Sequence, residues 1–222
     1  NPTGQTDGVE ALRLRWFPSN NIALSSWVIN NELDTLTFGG RGEITSEIGE
    51  FGFTYHYDPS KSIKPIGQLG LPIYNSHDRI AIDYRFDGLI GLWNESALIK
   101  SEKSKIGLIT IGADYTLPVA NGVLLMAESM YISNEYNNNT SDQNFSVFMA
   151  SLPIGMIHQV MYISQIDWKE DKTYQYLRWS GTYDAFSLNM IISVNPKRNQ
   201  YNIPVNLLPK SLSGFGTGIQ FM

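Results

Sequence analysis

The chain has 222 residues, a net charge of −5 and no cysteine. No disulfide framework, thiol chemistry or Cys-based metal site is therefore available, and without a Lys/Arg cluster nothing suggests a general nucleic-acid binder. Hydrophobics at 42% argue against disorder, charged residues at 17% fall short of the roughly 25% usual in soluble domains, and no run approaches the ~18 apolar residues of a membrane helix.

Period-two alternation recurs along the chain, and helical periodicity is hard to find. In the first expected strand, 10–17, Leu12, Leu14 and Trp16 share one face and Arg13 and Arg15 the other. After a strand at 22–30, the strand 36–45 sets Leu36, Phe38 and Ile44 against Arg41 and Glu43. Strand 48–57 sets Phe51, Phe53, Tyr55 and Tyr57 against Glu50, Thr54 and His56. In 79–87, Ile80, Ile82, Tyr84 and Phe86 oppose Asp83, Arg85 and Asp87; strand 89–99 follows with Glu95 between apolar neighbours. Strand 105–117 sets Ile109, Ile111, Ala113 and Tyr115 against Thr110 and Asp114, and 122–132 carries Glu128. Strands 144–152, 157–167, 173–183, 186–194 and 214–222 complete the pattern, with Arg178 inside the third of these. β-branched and aromatic residues dominate, as pleated half-exposed surfaces favour. The fold class is all-β, antiparallel and up-and-down, with about 12–14 strands in one domain over residues 1–222.

Many of these strands reach the ~10 residues of a tilted membrane strand, against five or six in soluble sheets. Their connections alternate in length. "PSNN" (18–21), "SE" (46–47), "DG" (87–88), "PVAN" (118–121), "PIGM" (153–156) and "YDA" (183–185) are short. "NNELD" (31–35), the segment 58–78, "KSEKSK" (100–105), "SNEYNNNTSDQN" (133–144), "DWKEDK" (167–172) and 195–213 are longer or more polar. Short turns on one side and long loops on the other are the habit of outer-membrane barrels. Oil outside and water inside a closed sheet also explains why charges keep one parity, because a charge facing lipid costs about 2–4 kcal/mol at mid-depth.

"NPTGQTDGVEALRLRWFPSNN", "GLWNESAL" and "IGADYTLPVANGVLLMAESMYIS" together resemble a porin-like group of Gram-negative outer-membrane barrels. In that group a strand bearing Asp-Tyr-Thr leads, through a turn ending Asn-Gly, into a strand with an inward Glu. Here these are Asp114, Tyr115, Thr116, Asn121, Gly122 and Glu128. The final "GFGTGIQFM" resembles the assembly signal of such barrels, except that Met222 follows Phe221 where the family commonly ends in Phe or Trp. The resemblance covers most of the chain as a pattern and implies a fold more than a substrate. An odd number of strands also predicts that the chain is the C-terminal part of a longer barrel, because bacterial single-chain barrels have even numbers.

The residues expected to line a lumen and set its selectivity are Arg13, Arg15, Arg41, Glu43, Asp83, Arg85, Asp87, Asp114, Glu128 and Arg178. The alternative is that they pair across strands and fill the interior. Trp16, Tyr57, Tyr115, Tyr131, Trp168, Tyr183 and Phe221 stand near strand ends, where interfacial aromatic girdles form. His56, His77 and His158 are scattered over different elements, so no metal site is expected. "HD" at His77 and Asp78 in the longest loop leaves a hydrolase reading open, without a recognisable serine motif. The segment 195–213, with Pro196, Pro204 and Pro209, is a candidate constriction, and loop 133–144 a solvated extracellular connection.

The leading expectation is a passive channel of the bacterial outer membrane, without cofactor or covalent chemistry. The lipid bilayer and small solutes or ions are its partners, and other envelope proteins or further copies of the chain remain open. A filled barrel anchoring a partner complex, a barrel hydrolase and a soluble ligand-binding β-protein are the alternatives.

Overall fold

The computed structural model describes residues 10–31, 34–61, 63–66, 71–137, 139–196 and 214–221, with side chains undescribed at 63–66, 71, 72, 74 and 214–221. Fifteen strands make up the regular structure. They are β1 (Glu10–Ser19), β2 (Ile22–Asn30), β3 (Leu36–Ser46), β4 (Gly49–Asp58), β5 (Ile63–Ile66), β6 (Leu71–Tyr74), β7 (His77–Asp87) and β8 (Gly91–Ser101). β9 (Ser104–Leu117), β10 (Val123–Tyr136), β11 (Asn139–Ile154), β12 (His158–Asp167), β13 (Lys172–Thr182), β14 (Ser187–Asn195) and β15 (Gly214–Phe221) follow. Thirteen of them form one sheet whose order is the chain order, with β4 followed directly by β7; β5 and β6 pair with each other as a separate hairpin. The expected all-β, antiparallel, up-and-down sheet is the observed one, within the expected range of strand number.

The described residues cluster into two compact units. One draws on residues within 1–86, 93–109 and 132–142, the other on residues within 87–92, 110–131 and 143–222. In the first unit, β1 through β4 and β7 pair antiparallel in continuous register, running Arg15–Ser25–Arg41–Thr54–Ala81 across five strands. The β1 ladder is irregular between Trp16 and Ser19, where Pro18 has no amide hydrogen to donate. In the second unit, β11 through β15 pair in the same manner, running Ser151–Met161–Arg178–Ile191–Gly218.

Three expectations change. Residues 133–144 are not a loop: β10 and β11 extend to Tyr136 and from Asn139, so the Asn-rich stretch is mostly strand. Asn137 takes a positive φ of 47°, a conformation Asn tolerates better than most residues and one suited to a tight hairpin. Residues 139–142 of β11 are exposed in succession, so polarity there marks exposure and not the absence of a ladder. "KSEKSK" likewise contracts to a turn at 102–103, held by Ser101 Oγ and Ser104 Oγ at 2.7 Å, which breaks the strict alternation of connection lengths. His77 and Asp78 belong to β7 rather than to the long loop, and that connection contains the β5–β6 hairpin, whose short Pro-containing strands gave no periodic signal. The constriction expected at 195–213 is a separate matter, since from 197 onward it lies outside the described residues.

Candidate functional site

Alternation places two chemically distinct faces on the sheet, and burial inverts the usual pattern. In the first unit Leu12, Leu14, Val28, Phe38, Ile44, Phe53 and Ile82 are exposed. Their sequence neighbours Arg41, Glu43, Thr54, His56, Arg79 and Asp83 are half-buried on the opposite face. In the second unit Phe148, Leu177, Met190, Ile192 and Val194 are exposed, whereas Ser151 and Asn189 are buried. A water-soluble sheet would bury the apolar set; here the apolar face is bare.

The polar face of the first unit carries an ion-pair network. Arg41 of β3 donates two parallel hydrogen bonds to Asp83 of β7, Nη1 to Oδ1 at 2.6 Å and Nη2 to Oδ2 at 2.7 Å. Its Nε donates to Glu43 Oε1 at 2.9 Å, and Nη1 also reaches Thr54 Oγ1 at 3.0 Å. Arg15 of β1 donates from Nη2 to the other Glu43 oxygen at 3.3 Å. The network thus ties β1, β3, β4 and β7. It depends on Gly52 of β4, because a Cβ there would collide with the Asp83 carboxylate and the Arg41 guanidinium. The bidentate pair lies across the strand that separates its partners, and only glycine leaves that space. Planar two-point pairing of this kind is the strong form of a charge-assisted hydrogen bond.

One register row away, Trp27 Nε1 donates to His56 Nδ1 at 3.1 Å, with the rings 6.2 Å apart and 22° from parallel. This bond requires Nδ1 without a proton, so the imidazole carries its hydrogen on Nε2 when neutral. Gly39, between them in register, gives the indole its path: a Cβ would lie 2.7 Å from the ring. Arg13 pairs in register with Trp27, and Arg79 with His56. Beyond them, Asp58, Ser60 and His77 are buried; Ser60 donates its hydroxyl to Asp58 and accepts from Asn31 Nδ2 at 2.6 Å.

The expected lining residues divide by unit. Arg13, Arg15, Arg41, Glu43, Asp83 and Arg85 share the polar face of the first unit by register and alternation, and the network joins Arg15, Arg41, Glu43 and Asp83. Asp87 has the same parity at the end of β7. In the second unit, the Asp114 carboxylate lies over Gly91, 2.7 Å from where a Cβ would stand. Glu128 is half-buried and alternates with the more exposed Ala127 and Ser129. Arg178 is half-buried, flanked in register by Met161 and Ile191.

Of the aromatic set, Trp16, Tyr131 and Trp168 are exposed, Trp168 donating from Nε1 to Ser146 Oγ at 2.9 Å. Tyr57 packs on Phe38 at 5.3 Å, towards the opposite strand ends from the Phe51–Tyr84 pair at 4.8 Å. Tyr183 stacks on Phe186 at 4.7 Å and meets His158 edge-on, while His158 stacks on Trp179. Tyr115 keeps the parity of exposed Ile109 and Ile111. Phe221 pairs in register with Leu188, and its side chain lies outside the described residues.

Sequence reasoning missed Arg79, Trp27 and the Asn31–Asp58–Ser60 group. Arg79 was legible by its parity with Asp83 and Arg85. Trp27 was not, because an aromatic on a strand reads as apolar face until its partner is known. Asp78 points away from His77, to the apolar face, where it accepts a 2.6 Å hydrogen bond from Tyr55. The adjacent pair behind the hydrolase reading therefore does not converge.

The chain matches no protein-family model, no curated protein and no solved structure. What the structure shares with the porin-like pattern is the antiparallel, up-and-down sheet.

Proposed function

We propose that this sheet is the wall of a transmembrane β-barrel of the bacterial outer membrane, acting as a passive channel for small solutes or ions. One observation carries the reading: an exposed apolar face backs a more buried face that carries Arg41, Glu43, Thr54 and Asp83 in the first unit and Ser151, Arg178 and Asn189 in the second. Lipid is the environment in which bare Leu, Ile, Phe and Val are stable, and a closed sheet in lipid leaves the polar face to water. The aromatic pairs near both strand ends of the first unit support this, since Tyr and Trp favour the headgroup level. Charged side chains on the water side would set the field felt by passing ions.

The first test is migration of the detergent-purified protein, boiled against unboiled, followed by single-channel recording. A heat-modifiable shift with discrete conductance steps is the expected result. Full solubility after detergent removal, without a shift, would return the sheet to a soluble binding protein. The network joining Arg15, Glu43, Arg41 and Asp83 favours a second reading, a filled barrel serving as a scaffold, because cross-strand pairs of this kind occupy interior space. A shift without conductance is the outcome that selects it.

A further inference from the structure

We propose that Arg178 on β13 is a recognition point for organic anions, holding the carboxylate of a solute whose body is apolar. The inference deepens the channel reading and rests on it. Among the described residues from 143 onward, Arg178 is the one charge within a strand interior: Asp167 and Lys172 end their strands, and Lys169, Glu170, Asp171 and Asp184 lie in turns. The connection from 196 to 213 adds Lys197, Arg198 and Lys210 and no carboxylate. Among the described residues no acceptor or acid pairs with Arg178, and its Nε is buried without a hydrogen-bond partner. Arg41 in the first unit is the opposite case, paired with two carboxylates.

The surroundings of Arg178 define the ligand class. In register it is flanked by Met161 and Ile191, and the next polar-face row brings Ile163 and Tyr176. The row on its other side brings Gln159, Ser180 and Asn189, with Gln159 Nε2 donating to Ser151 Oγ at 2.9 Å. An unpaired charge beside thioether and aliphatic groups is poorly solvated, so an incoming anion gains more there than at an exposed arginine. A guanidinium matches a carboxylate at two points, and the aliphatic wall accommodates an apolar body that inorganic phosphate lacks.

The experiment is calorimetric titration of the detergent-folded protein with benzoate, benzamide and inorganic phosphate, comparing wild type, R178Q and R178K, alongside single-channel recording in KCl. Saturable benzoate binding is expected, weakened about tenfold or more in R178Q and partly retained in R178K, with benzamide indifferent to both substitutions. Equal benzoate affinity in wild type and in R178Q retaining the heat-modifiable shift would overturn the site, as would phosphate binding tighter than benzoate. Should R178Q fail to fold, R178K decides: weakened binding supports the two-point contact and unchanged binding overturns it. Conduction by a wild type whose benzoate binding ignores Arg178 removes the site and leaves the channel. Arg178-dependent binding to a non-conducting wild type removes the channel and leaves the site.

Discussion

The two units solve the same problem, a polar sheet face behind an apolar one, with different chemistry. In the first, Arg41 of β3 is held over Gly52 by Asp83, Glu43 and Thr54, while Arg79 of β7 keeps a buried Nε without a hydrogen-bond partner among the described residues. In the second, β11 to β14 carry uncharged polar groups and Met or Ile side chains around a single arginine. Paired charges order neighbouring strands and contribute little net field, whereas an unpaired one orders little and projects its full field. Stability contributed by the polar face should therefore reside mainly in the Arg41 network, and recognition of a charged solute mainly at Arg178.

The largest expected effect tests what the units share. Ile82→Lys in β7 and Ile192→Lys in β14 each place a charge on the apolar face, which costs about 2–4 kcal/mol at mid-depth in lipid. Both should lower the urea midpoint of folding into vesicles and reduce the unboiled gel form to a similar degree. A tolerant unit would show that its apolar face is not lipid-exposed.

Next in size, Arg41→Gln removes the cation bound by Asp83 and leaves Glu43 with Arg15 alone. The groups are partly solvated, at 28% exposure for Arg41 and 35% for Asp83, so the loss should be about 1–3 kcal/mol rather than that of a fully buried pair. Unfolding of Arg41→Gln, Asp83→Asn and the double variant should yield a coupling near 1 kcal/mol. Arg178→Gln should by contrast cost under about 0.5 kcal/mol, as a substitution without a paired partner. Equal losses at the two arginines would erase the distinction between the units.

Gly52→Ala should cost about 1–3 kcal/mol, because the added methyl displaces the bidentate pair. In the Arg41→Gln background the same change should cost less, a non-additivity readable in denaturation midpoints. Smallest is Trp27→Phe, which removes one hydrogen bond to His56 while keeping a ring, for about 0.5–1.5 kcal/mol. An unchanged midpoint there would mean that the indole is held by packing alone.

Much of the fold was legible because a strand advertises itself locally. Alternation over eight or more residues identified every strand of the large sheet, and parity assigned Asp83, Arg85 and Arg41 to one face before any partner was known. Misjudged segments were those where composition and pairing disagree. The Asn-rich 133–144 stretch is polar enough for a loop, yet its ladder continues because hydrogen bonding between backbones is indifferent to side-chain polarity. The β5–β6 hairpin has four-residue strands, too short to show a period.

The candidate site was legible as a set of residues and not as an arrangement. Arg15, Arg41, Glu43 and Asp83 could be named from parity, but nothing local says that Arg41 reaches past β4 to Asp83 and not to a nearer residue. That choice depends on Gly52 having no side chain at the crossing, and on a register that sets it opposite Asp83. The sequence by itself determined most strand positions, the antiparallel class and the alternation of faces along each strand, because a period of two is a property of one strand. Tertiary structure alone decided which charges are neutralised and that Arg178 has no partner among the described residues, because pairing depends on register between strands, and register is a property of two.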